Sequence, residues 1–363
     1  MSVHVRLAVR DVGTYGGIGR YVAELVEGLR RVDGVDAEVT VIGQAVSPWA
    51  AGTRHITTPR MPLGGSLAIL KLPRDRRLVH FPLHETTPFF VACSGPVVMT
   101  IHSVEPLYMP RDEIGSHLHT LPFRLLRATR RRLARVITPS AFERDRIAEH
   151  LRVPVERIDV IPHGVRHDVF RPGAGVAARK SVRDRWGLPD SYFLYVGHHQ
   201  PQKNVANLIR AFASLDRDDV VLAIAGDTSA CAAEYDQASR GKATVRYLGA
   251  ITDDTELVDL YRGTIAFCFP SLHESFGLPA LEAMASGSPV VAARGSGLQQ
   301  TVGDAALLFD PRSVEELAEQ LERLLDDDDE RERLAAAGLA RASGFTWDRS
   351  VLAHVETYRS AVA

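Results

Sequence analysis

Two glutamates in one loop-and-helix stretch are the side chains of this sequence best placed to do chemistry. Seven residues separate Glu274 from Glu282; Glu274 follows an apolar stretch that ends at Phe269, and Glu282 lies about one turn inside a helix that begins near Pro279. The backbone N–H groups and the positive dipole end of such a helix form an anion site suited to a diphosphate. Each carboxylate can accept hydrogen bonds from vicinal hydroxyls, one from a sugar and one from a ribose. On spacing alone, a helix-capping Glu274 and a solvated Glu282 remain equally open.

Three other features could take part in such a site. Lys203 is at the start of a predicted helix, where the helix dipole opposes a cation, so a bound anion is favoured over a merely solvated lysine. His102 ends the predicted strand Val97–Ile101, at the edge where parallel sheets place ligands; a core histidine is the alternative. The loop 13–20 is rich in glycine and follows a strand, but it lacks the G-x-G-x-x-G spacing of a dinucleotide site, so a simple tight turn stays open.

The elements that position these side chains alternate between short apolar runs and longer amphipathic ones, which is typical of βα units with parallel sheets. We expect two doubly wound domains, residues 1–165 and 166–345, joined by a turn-rich stretch at 162–173, with a ligand cleft between them. The pattern predicts helices over 18–31, 122–133 and 140–150, and Ser140 with Glu143 forms a capping box. A last amphipathic helix covers 346–363.

Composition indicates an ordinary globular protein. The 363 residues are 45% hydrophobic and 24% charged, and the net charge of -2 argues against a nucleic-acid-binding protein. The charge is uneven: residues 1–165 carry 22 Lys/Arg against 16 Asp/Glu. Three cysteines without a CxxC exclude a disulfide framework and a structural zinc site and suit a reducing cytoplasm. No secretory leader or membrane span is evident, so a cytoplasmic location is expected.

The Glu-x7-Glu stretch resembles the signature of retaining glycosyltransferases of family 4, which have the GT-B fold of two Rossmann-like domains. The likeness extends from about residue 3 to about residue 358 and implies an α/β protein of that fold. Besides 274–287, the stretches that carry it are the donor-phosphate segment 195–212, the base-binding loop and helix 248–261, and the interdomain linker 161–172. The terminal helix of the family crosses back onto the first domain, which implies the same for 346–363.

The resemblance implies roles for the residues around the two glutamates. Glu274 would bind hydroxyls of the donor sugar near the anomeric carbon. The backbone amides of Phe276, Gly277 and Leu278 would contact the sugar and the diphosphate. Glu282 would hold the ribose diol.

It also implies roles for residues outside that stretch. Lys203 would neutralise the diphosphate and stabilise the leaving group as the glycosidic bond breaks. Gly249 and Ile251 would lie against the nucleotide base. Gly16 and Gly17 would approach the donor diphosphate or shape the acceptor pocket.

The sequence departs from the family pattern at several site positions. His102 would lie against the donor sugar, but Ser103 replaces the Asp that commonly follows it, which leaves Glu105 as a possible substitute. His198 occupies the donor-site position where many relatives have Arg, and Gln300 occupies one where a Glu is frequent. Some polysaccharide mannosyl- and rhamnosyltransferase-like members share the Pro-x-Lys-Asn form found here at 201–204.

Six arginines fall within residues 124–135. A basic amphipathic helix can lie on anionic lipid at the inner face of the cell membrane; a solvated helix face is the alternative. The Asp-x-Asp pairs at 216–218 and 326–329 are interpreted as surface turns. No metal or other cofactor is therefore expected.

These observations favour a retaining hexosyltransferase that moves a sugar, with mannose from GDP-mannose as the best guess, from a nucleoside diphosphate to an acceptor hydroxyl of a glycan, lipid or small molecule. Polysaccharide, glycolipid or natural-product biosynthesis would be its setting. The catalytic set would be Glu274, His102 and Lys203. Another GT-B activity, such as an epimerase or a phosphorylase, and a catalytically silent sugar-nucleotide-binding partner are the alternatives.

Overall fold

The chain forms two compact units, each described here by itself. The structure is a computed structural model that describes residues 3–10, 16–42, 50, 53–56, 75–83, 89–110, 113, 120–173, 175–239 and 244–363. The first unit consists of Met1–Met109, Ser116–Gly164 and Trp347–Ala363, and the second of Pro110–Gly115 and Val165–Thr346.

A parallel sheet forms the centre of the first unit, with the described strands in the order β3-β2-β1-β4-β5-β6-β7. The strands are β1 Val3–Arg10, β2 Val35–Ile42, β3 Arg54–Ile56, β4 Leu78–Phe81, β5 Val97–Thr100, β6 Leu133–Thr138 and β7 Ile158–Val160. Every residue of β4 and β5 is buried, as expected for a parallel sheet covered on both faces.

The helices of this unit that the structure describes are α1 Gly17–Arg31, α2 Thr120–Thr129, α3 Ala141–Leu151 and α12 Trp347–Val362. The Ser140 half of the predicted capping box is confirmed, because the Ser140 side chain accepts a hydrogen bond from the Glu143 N–H, whereas the Glu143 carboxylate accepts from the Val104 N–H. The terminal helix α12 packs against α1, where a Cβ on Gly28 would lie 2.4 Å from a methyl carbon of Val351. Only glycine allows that approach.

The predicted helix over 122–133 is wrong in its second half. Helix α2 ends at Thr129, a 3-10 turn covers Arg130–Arg132, and Leu133 already belongs to β6, where it is paired with Val97 of β5. Arginine is a good helix former, so the local pattern favoured a longer helix. Burial of Leu133 in the sheet ends the helix earlier.

The second unit is built around another parallel sheet, in the order β10-β9-β8-β11-β12-β13. Its strands are β8 Tyr192–Val196, β9 Val221–Ala225, β10 Val245–Gly249, β11 Ala266–Phe269, β12 Val290–Ala293 and β13 Leu307–Phe309. The α-helices of this unit that the structure describes are α4 Gly175–Trp186, α5 Val205–Ser214, α6 Ala232–Ser239, α7 Asp254–Gly263, α8 Leu278–Ala285, α9 Gly297–Val302, α10 Val314–Asp326 and α11 Asp328–Ala342.

Both sheets reverse their strand order once, between β1 and β4 and between β8 and β11. At such a switch point the loops that follow the two central strands leave in opposite directions, and a crevice opens at the carboxyl ends of the strands. In the second unit these are the loops after Val196 and Phe269, which carry Lys203 and Glu274.

Candidate functional site

An ion pair lies at the switch point of the second unit. Lys203 ends the 3-10 turn Pro201–Lys203 after β8, and Glu274 lies in the loop after β11. The Nζ atom of Lys203 is 2.7 Å from Oε2 of Glu274, and each side chain is 18% exposed. Opposite charges are therefore held together at the edge of the sheet, within reach of a ligand.

Main-chain and amide hydrogen bonds fix the two loops to each other. The N–H of Leu272 donates to the Gln202 carbonyl at 2.8 Å. The side-chain amide of Asn204 donates to the carbonyls of Pro270, at 3.1 Å, and Pro311, at 2.7 Å. Asn204 has a φ of 56°, a left-handed conformation that asparagine tolerates better than most residues. The sequence assigns Asn204 no role of its own; its signals are the Pro-x-Lys-Asn form and its position between a turn and a helix.

A glycine starts the helix beside Glu274. Gly277 is the N-cap of α8 with a φ of 95°, and a Cβ there would lie 2.4 Å from Cδ1 of Leu298. Phe276 is buried, and its ring packs edge-on against Phe345 at 5.8 Å. The helix N-terminus, with its positive dipole end and its N–H groups, thus begins three residues after Glu274.

Neither spacing-only alternative for the two glutamates survives in the structure. Glu274 does not cap a helix, since Gly277 holds that position and the Glu274 carboxylate binds Lys203. Glu282 is not solvated: its side chain is 4% exposed, and the Tyr261 hydroxyl donates to its Oε2 at 3.5 Å. Both carboxylates are thus held by specific partners, and their roles toward a donor remain predictions.

The loops after β9 and β10 belong to the same sheet edge. The N–H of Gly226 donates to the Gly249 carbonyl at 2.8 Å, and a Cβ on Gly226 would lie 2.2 Å from the Gly197 carbonyl oxygen. Ile251 follows in the loop after β10. His198 is exposed, and its carbonyl accepts a hydrogen bond from the Tyr195 hydroxyl at 2.7 Å. The structure therefore gathers the predicted donor-binding residues of this unit at the carboxyl ends of its strands.

Ser296 is a second residue of this edge that the sequence did not predict. Ser296, the N-cap of α9, is buried, and its hydroxyl has no hydrogen-bond partner among the described residues. Two residues further on, the N–H of Leu298 donates to the Glu274 carbonyl at 3.2 Å, so this loop contacts the Glu274 loop. The signal was present as Gly-Ser-Gly at 295–297 after a buried strand.

The remaining predicted site residues lie in the first unit. Gly16, with a φ of 83°, is the N-cap of α1, and Gly17 begins that helix, both beyond the carboxyl end of β1. Residues 13–15 of the glycine loop lie outside the described residues. His102 follows β5; its ring is buried, its Nε2 donates to the Pro82 carbonyl at 3.1 Å, and it packs edge-on against Tyr21.

The polar side chains next to His102 are also arranged by hydrogen bonds. The Ser103 hydroxyl donates to Glu105 at 3.0 Å, and the Val104 N–H donates to the buried carboxylate of Glu143 at 3.3 Å. Glu143 thereby connects the start of α3 to the loop that carries Glu105. This loop has a defined conformation, and its part in acceptor binding stays a prediction.

The arginine-rich stretch is not one continuous basic helix. Arg130 donates to the carbonyls of Arg127 and Arg152, and Arg132 donates to the Cys93 carbonyl. Arg135 lies in β6 and binds Asp159. Only two of the six, Arg124 and Arg127, lie on α2.

Within the described residues, no group of three or more His, Cys, Asp or Glu side chains is arranged to hold a metal ion. A search of the same residues for a helix both long and apolar enough to cross a membrane finds none.

Two family models match this chain. The family model "Glycosyltransferase Family 4" matches residues 15–169, and "Glycosyl transferases group 1" matches residues 179–341. O-antigen chain mannosyltransferase B of Escherichia coli is 28% identical over 274 residues, covering 72% of this chain and 70% of that relative. D-inositol 3-phosphate glycosyltransferase of Frankia alni is 34% identical over 244 residues, covering 63% of this chain and 59% of that relative. The match thus spans less than two thirds of the Frankia protein.

Solved structures share the fold at low identity. Sucrose-phosphate synthase of Thermosynechococcus elongatus has a TM-score of 0.79 at 22% identity and covers 98% of both chains. HepE of Anabaena, in complex with UDP-glucose, has a TM-score of 0.80 at 18% identity and covers 98% of this chain and 99% of that one. The predicted α/β fold of GT-B type is confirmed.

Proposed function

Since the chain belongs to the GT-B glycosyltransferases of family 4, we propose that it is a retaining enzyme that transfers a sugar from a nucleoside diphosphate to an acceptor hydroxyl. The observation that carries the proposal is the Lys203–Glu274 pair at the switch point of the second unit, beside the N-terminus of α8. A cation, a carboxylate and a helix N-terminus together match a ligand that joins a diphosphate to a polyhydroxylated sugar.

In this proposal the second unit binds the donor. The Lys203 ammonium and the N–H groups at the start of α8 hold the diphosphate, while Glu274 accepts hydrogen bonds from sugar hydroxyls. Glu282 receives the ribose, and Gly249 with Ile251 lies against the base. Glu274 and Lys203 neutralise each other until the diphosphate arrives and provides the lysine with a second anionic partner.

For the transfer step we propose front-face displacement, by analogy with the family, since no second carboxylate is placed as a covalent nucleophile. The bond between the anomeric carbon and the diphosphate oxygen breaks, and the acceptor oxygen bonds to the same face of that carbon. The acceptor proton passes to the departing diphosphate oxygen. Lys203 and the helix dipole stabilise the negative charge that grows on the diphosphate, which is the charge-stabilising role of fixed dipoles and cations in catalysis. We expect that no bound metal takes part.

For the donor we propose GDP-mannose. The support is the Pro-x-Lys-Asn segment at 201–204, in which Asn204 ties the Lys203 turn to the β11 loop, and the similarity to an O-antigen mannosyltransferase. The acceptor would be a glycan, a lipid or a small molecule in polysaccharide, glycolipid or natural-product biosynthesis at the cytoplasmic side. Contact with anionic lipid would use Arg124 and Arg127, whose side chains are exposed on α2.

The test is a thermal-shift panel of GDP, UDP, dTDP and NAD in excess EDTA. A ligand that binds only the folded protein stabilises it by about 2.7 kcal/mol at 100 times its dissociation constant, so binding gives a clear shift. Stabilisation by GDP alone supports the proposal; a shift with UDP or dTDP alone replaces the donor, and a shift with NAD alone overturns it.

A matched pair of lysine variants locates the binding. Lys203→Ala is expected to abolish the shift given by the nucleoside diphosphate, whereas Lys180→Ala, at an exposed position of α4, should leave it unchanged. Incubation of the wild type with GDP-mannose then separates transfer or slow hydrolysis of the donor from silent binding. Release of sugar phosphate only in the presence of inorganic phosphate would identify a phosphorylase instead.

A further inference from the structure

A basic cavity lies in the first unit at the amino ends of its strands, the sheet edge opposite to the one that carries His102. It has a volume of about 650 Å³. Four arginines and two serines give it its polar lining: Arg76, Arg131, Arg132, Arg157, Ser94 and Ser360.

The topology explains why these arginines converge. Arg76 precedes β4, Arg132 immediately precedes β6, and Arg157 immediately precedes β7. Because the strands are parallel, their amino ends meet at one edge of the sheet. The residues before β5 lie close to those before β4, since a Cβ on Gly95 would be 2.1 Å from the Arg77 carbonyl oxygen. This part of the cavity rim therefore has little room to move.

Among the residues that the structure describes, no carboxylate balances the arginines of this cavity. No acidic residue of this part of the chain lines it, and Arg76, Arg131 and Arg157 form no ion pair there. Arg132 donates from one guanidinium nitrogen to the Cys93 carbonyl, at 2.7 Å, and meets no carboxylate among the described residues. Elsewhere in the same unit arginines are paired, as Arg6 is with Glu38 and Asp75. Several guanidinium groups around one open cavity repel each other unless an anion joins them.

We propose that this cavity is a second anion site, which binds a phosphate-bearing ligand apart from the sugar-nucleotide donor. Guanidinium groups bind phosphate oxygens through paired N–H donors, and several of them suit a ligand with more than one phosphate or with a phosphate diester. The volume falls in the range of about 300 to 1,000 Å³ typical of small-molecule sites and exceeds what inorganic phosphate needs. A soluble phosphate compound and a phospholipid headgroup share this chemistry.

The soluble source is tested by titrating inorganic pyrophosphate into the full chain by calorimetry. All proteins carry Lys203→Ala, so that binding at the proposed donor site does not dominate the signal. The double variant Arg131→Gln/Arg157→Gln is expected to weaken pyrophosphate binding by about tenfold or more, since two of the four guanidinium groups are lost. Arg30→Gln/Arg31→Gln removes the same charge from exposed positions of α1 that do not line the cavity and should bind as the parent does.

The lipid source is tested by co-sedimentation of the same proteins with phosphatidylcholine vesicles, with and without phosphatidic acid, at low ionic strength. Loss of vesicle binding only in Arg131→Gln/Arg157→Gln assigns the cavity to a lipid headgroup; loss of pyrophosphate binding alone assigns it to a soluble phosphate. The proposal is overturned if the cavity variant keeps both activities of its parent, if its parent shows neither, or if the α1 variant loses as much in both assays.

Discussion

At position 274 a carboxylate lies 2.7 Å from the Lys203 ammonium, and the effect of neutralising it can be predicted. Glu274→Gln keeps the side-chain shape and an oxygen that can accept from Lys203, but it removes the charge proposed to act near the anomeric carbon. We expect turnover to fall by about 100-fold or more. Thermal stability should change little, because a partly exposed ion pair contributes about 1 kcal/mol or less. Steady-state kinetics with the donor found by the thermal-shift panel measure the effect.

A matched glutamate in the same unit provides the control. Glu330 on α11 is 6% exposed and pairs with Arg323 and Arg333, so Glu330→Gln weakens ion pairs outside the proposed donor site. It should leave turnover unchanged. If both variants lose activity alike, or if Glu274→Gln stays fully active, Glu274 has no catalytic role.

The residue types alone predicted that Glu274 and Lys203 belong to one site, but not that they touch. They are 71 positions apart, and their contact depends on β8 and β11 being neighbours in the sheet. Likewise, the burial of Glu282 depends on Tyr261, which reaches it from another helix. Periodicity in the sequence does not report such cross-element neighbours.

At the scale of elements, the start of α8 is the part of the proposed donor site most sensitive to backbone change. Gly277→Ala places a methyl group at a φ of 95° and within 2.4 Å of Leu298. We expect a loss of about 1 to 3 kcal/mol in stability, from left-handed strain together with the steric contact. Nucleotide binding should weaken as well, because the N–H groups of the helix start are displaced. Urea unfolding and the thermal-shift assay measure the two effects separately.

The variant Gly187→Ala tests left-handed backbone strain without a steric contact of the added methyl group. Gly187 has a φ of 63°, and a Cβ there would meet nothing within 4 Å. Gly187→Ala should therefore cost about 1 kcal/mol and leave nucleotide binding intact. Equal stability losses in the two alanine variants, with nucleotide binding unchanged in both, would show that the close contact at α8 is unimportant.

Elements that alternate buried and amphipathic runs were predictable, and their ends were less so. The N-cap of α3 was found because Ser140 and Glu143 interact within one turn. The end of α2 was misplaced because Leu133 is taken from the helix by β5, a partner more than 30 positions away in the chain. Local sequence identifies an element most reliably where its limits are set by local hydrogen bonds.

At the scale of the molecule, a buried network joins the terminal helix α12 to the rest of the first unit. The Tyr21 hydroxyl lies 2.9 Å from Nε2 of His354, and the Tyr358 hydroxyl lies 2.8 Å from Nδ1 of His80. Since Nδ1 of His354 donates to the Ser350 carbonyl, its Nε2 accepts the Tyr21 proton. His354 of α12 and His80 of β4 are thus held neutral in a hydrophobic interior, a feature that no sequence motif predicted.

Burial sets the direction in which this network responds to acid. It lowers the pKa of His354 to about 4 and holds the pKa values of His80 and His163 well below their usual range, with the neighbouring His102 contributing to each shift. Asp159 faces His354 and opposes its shift. In the unfolded chain these histidines titrate near 6.5, so the unfolded state binds more protons below that pH.

The neutral histidines should therefore contribute fully to the free energy of unfolding of the first unit above about pH 7. That contribution should fall as the pH drops from about 6.5 toward 4. His354 alone accounts for about 3 kcal/mol of that loss, given a shift from 6.5 to about 4. In His354→Gln one proton fewer is taken up on unfolding, so the free energy of unfolding should depend less steeply on pH even if the variant is less stable at neutral pH. Leu352→Gln, at an exposed position of the same helix, removes no titratable group and should leave the slope unchanged. Urea unfolding at a series of pH values, followed by the fluorescence of Trp347 beside His163, measures the slopes. An identical slope in His354→Gln and the wild type would mean that the packing of α12 in this unit does not depend on a neutral His354.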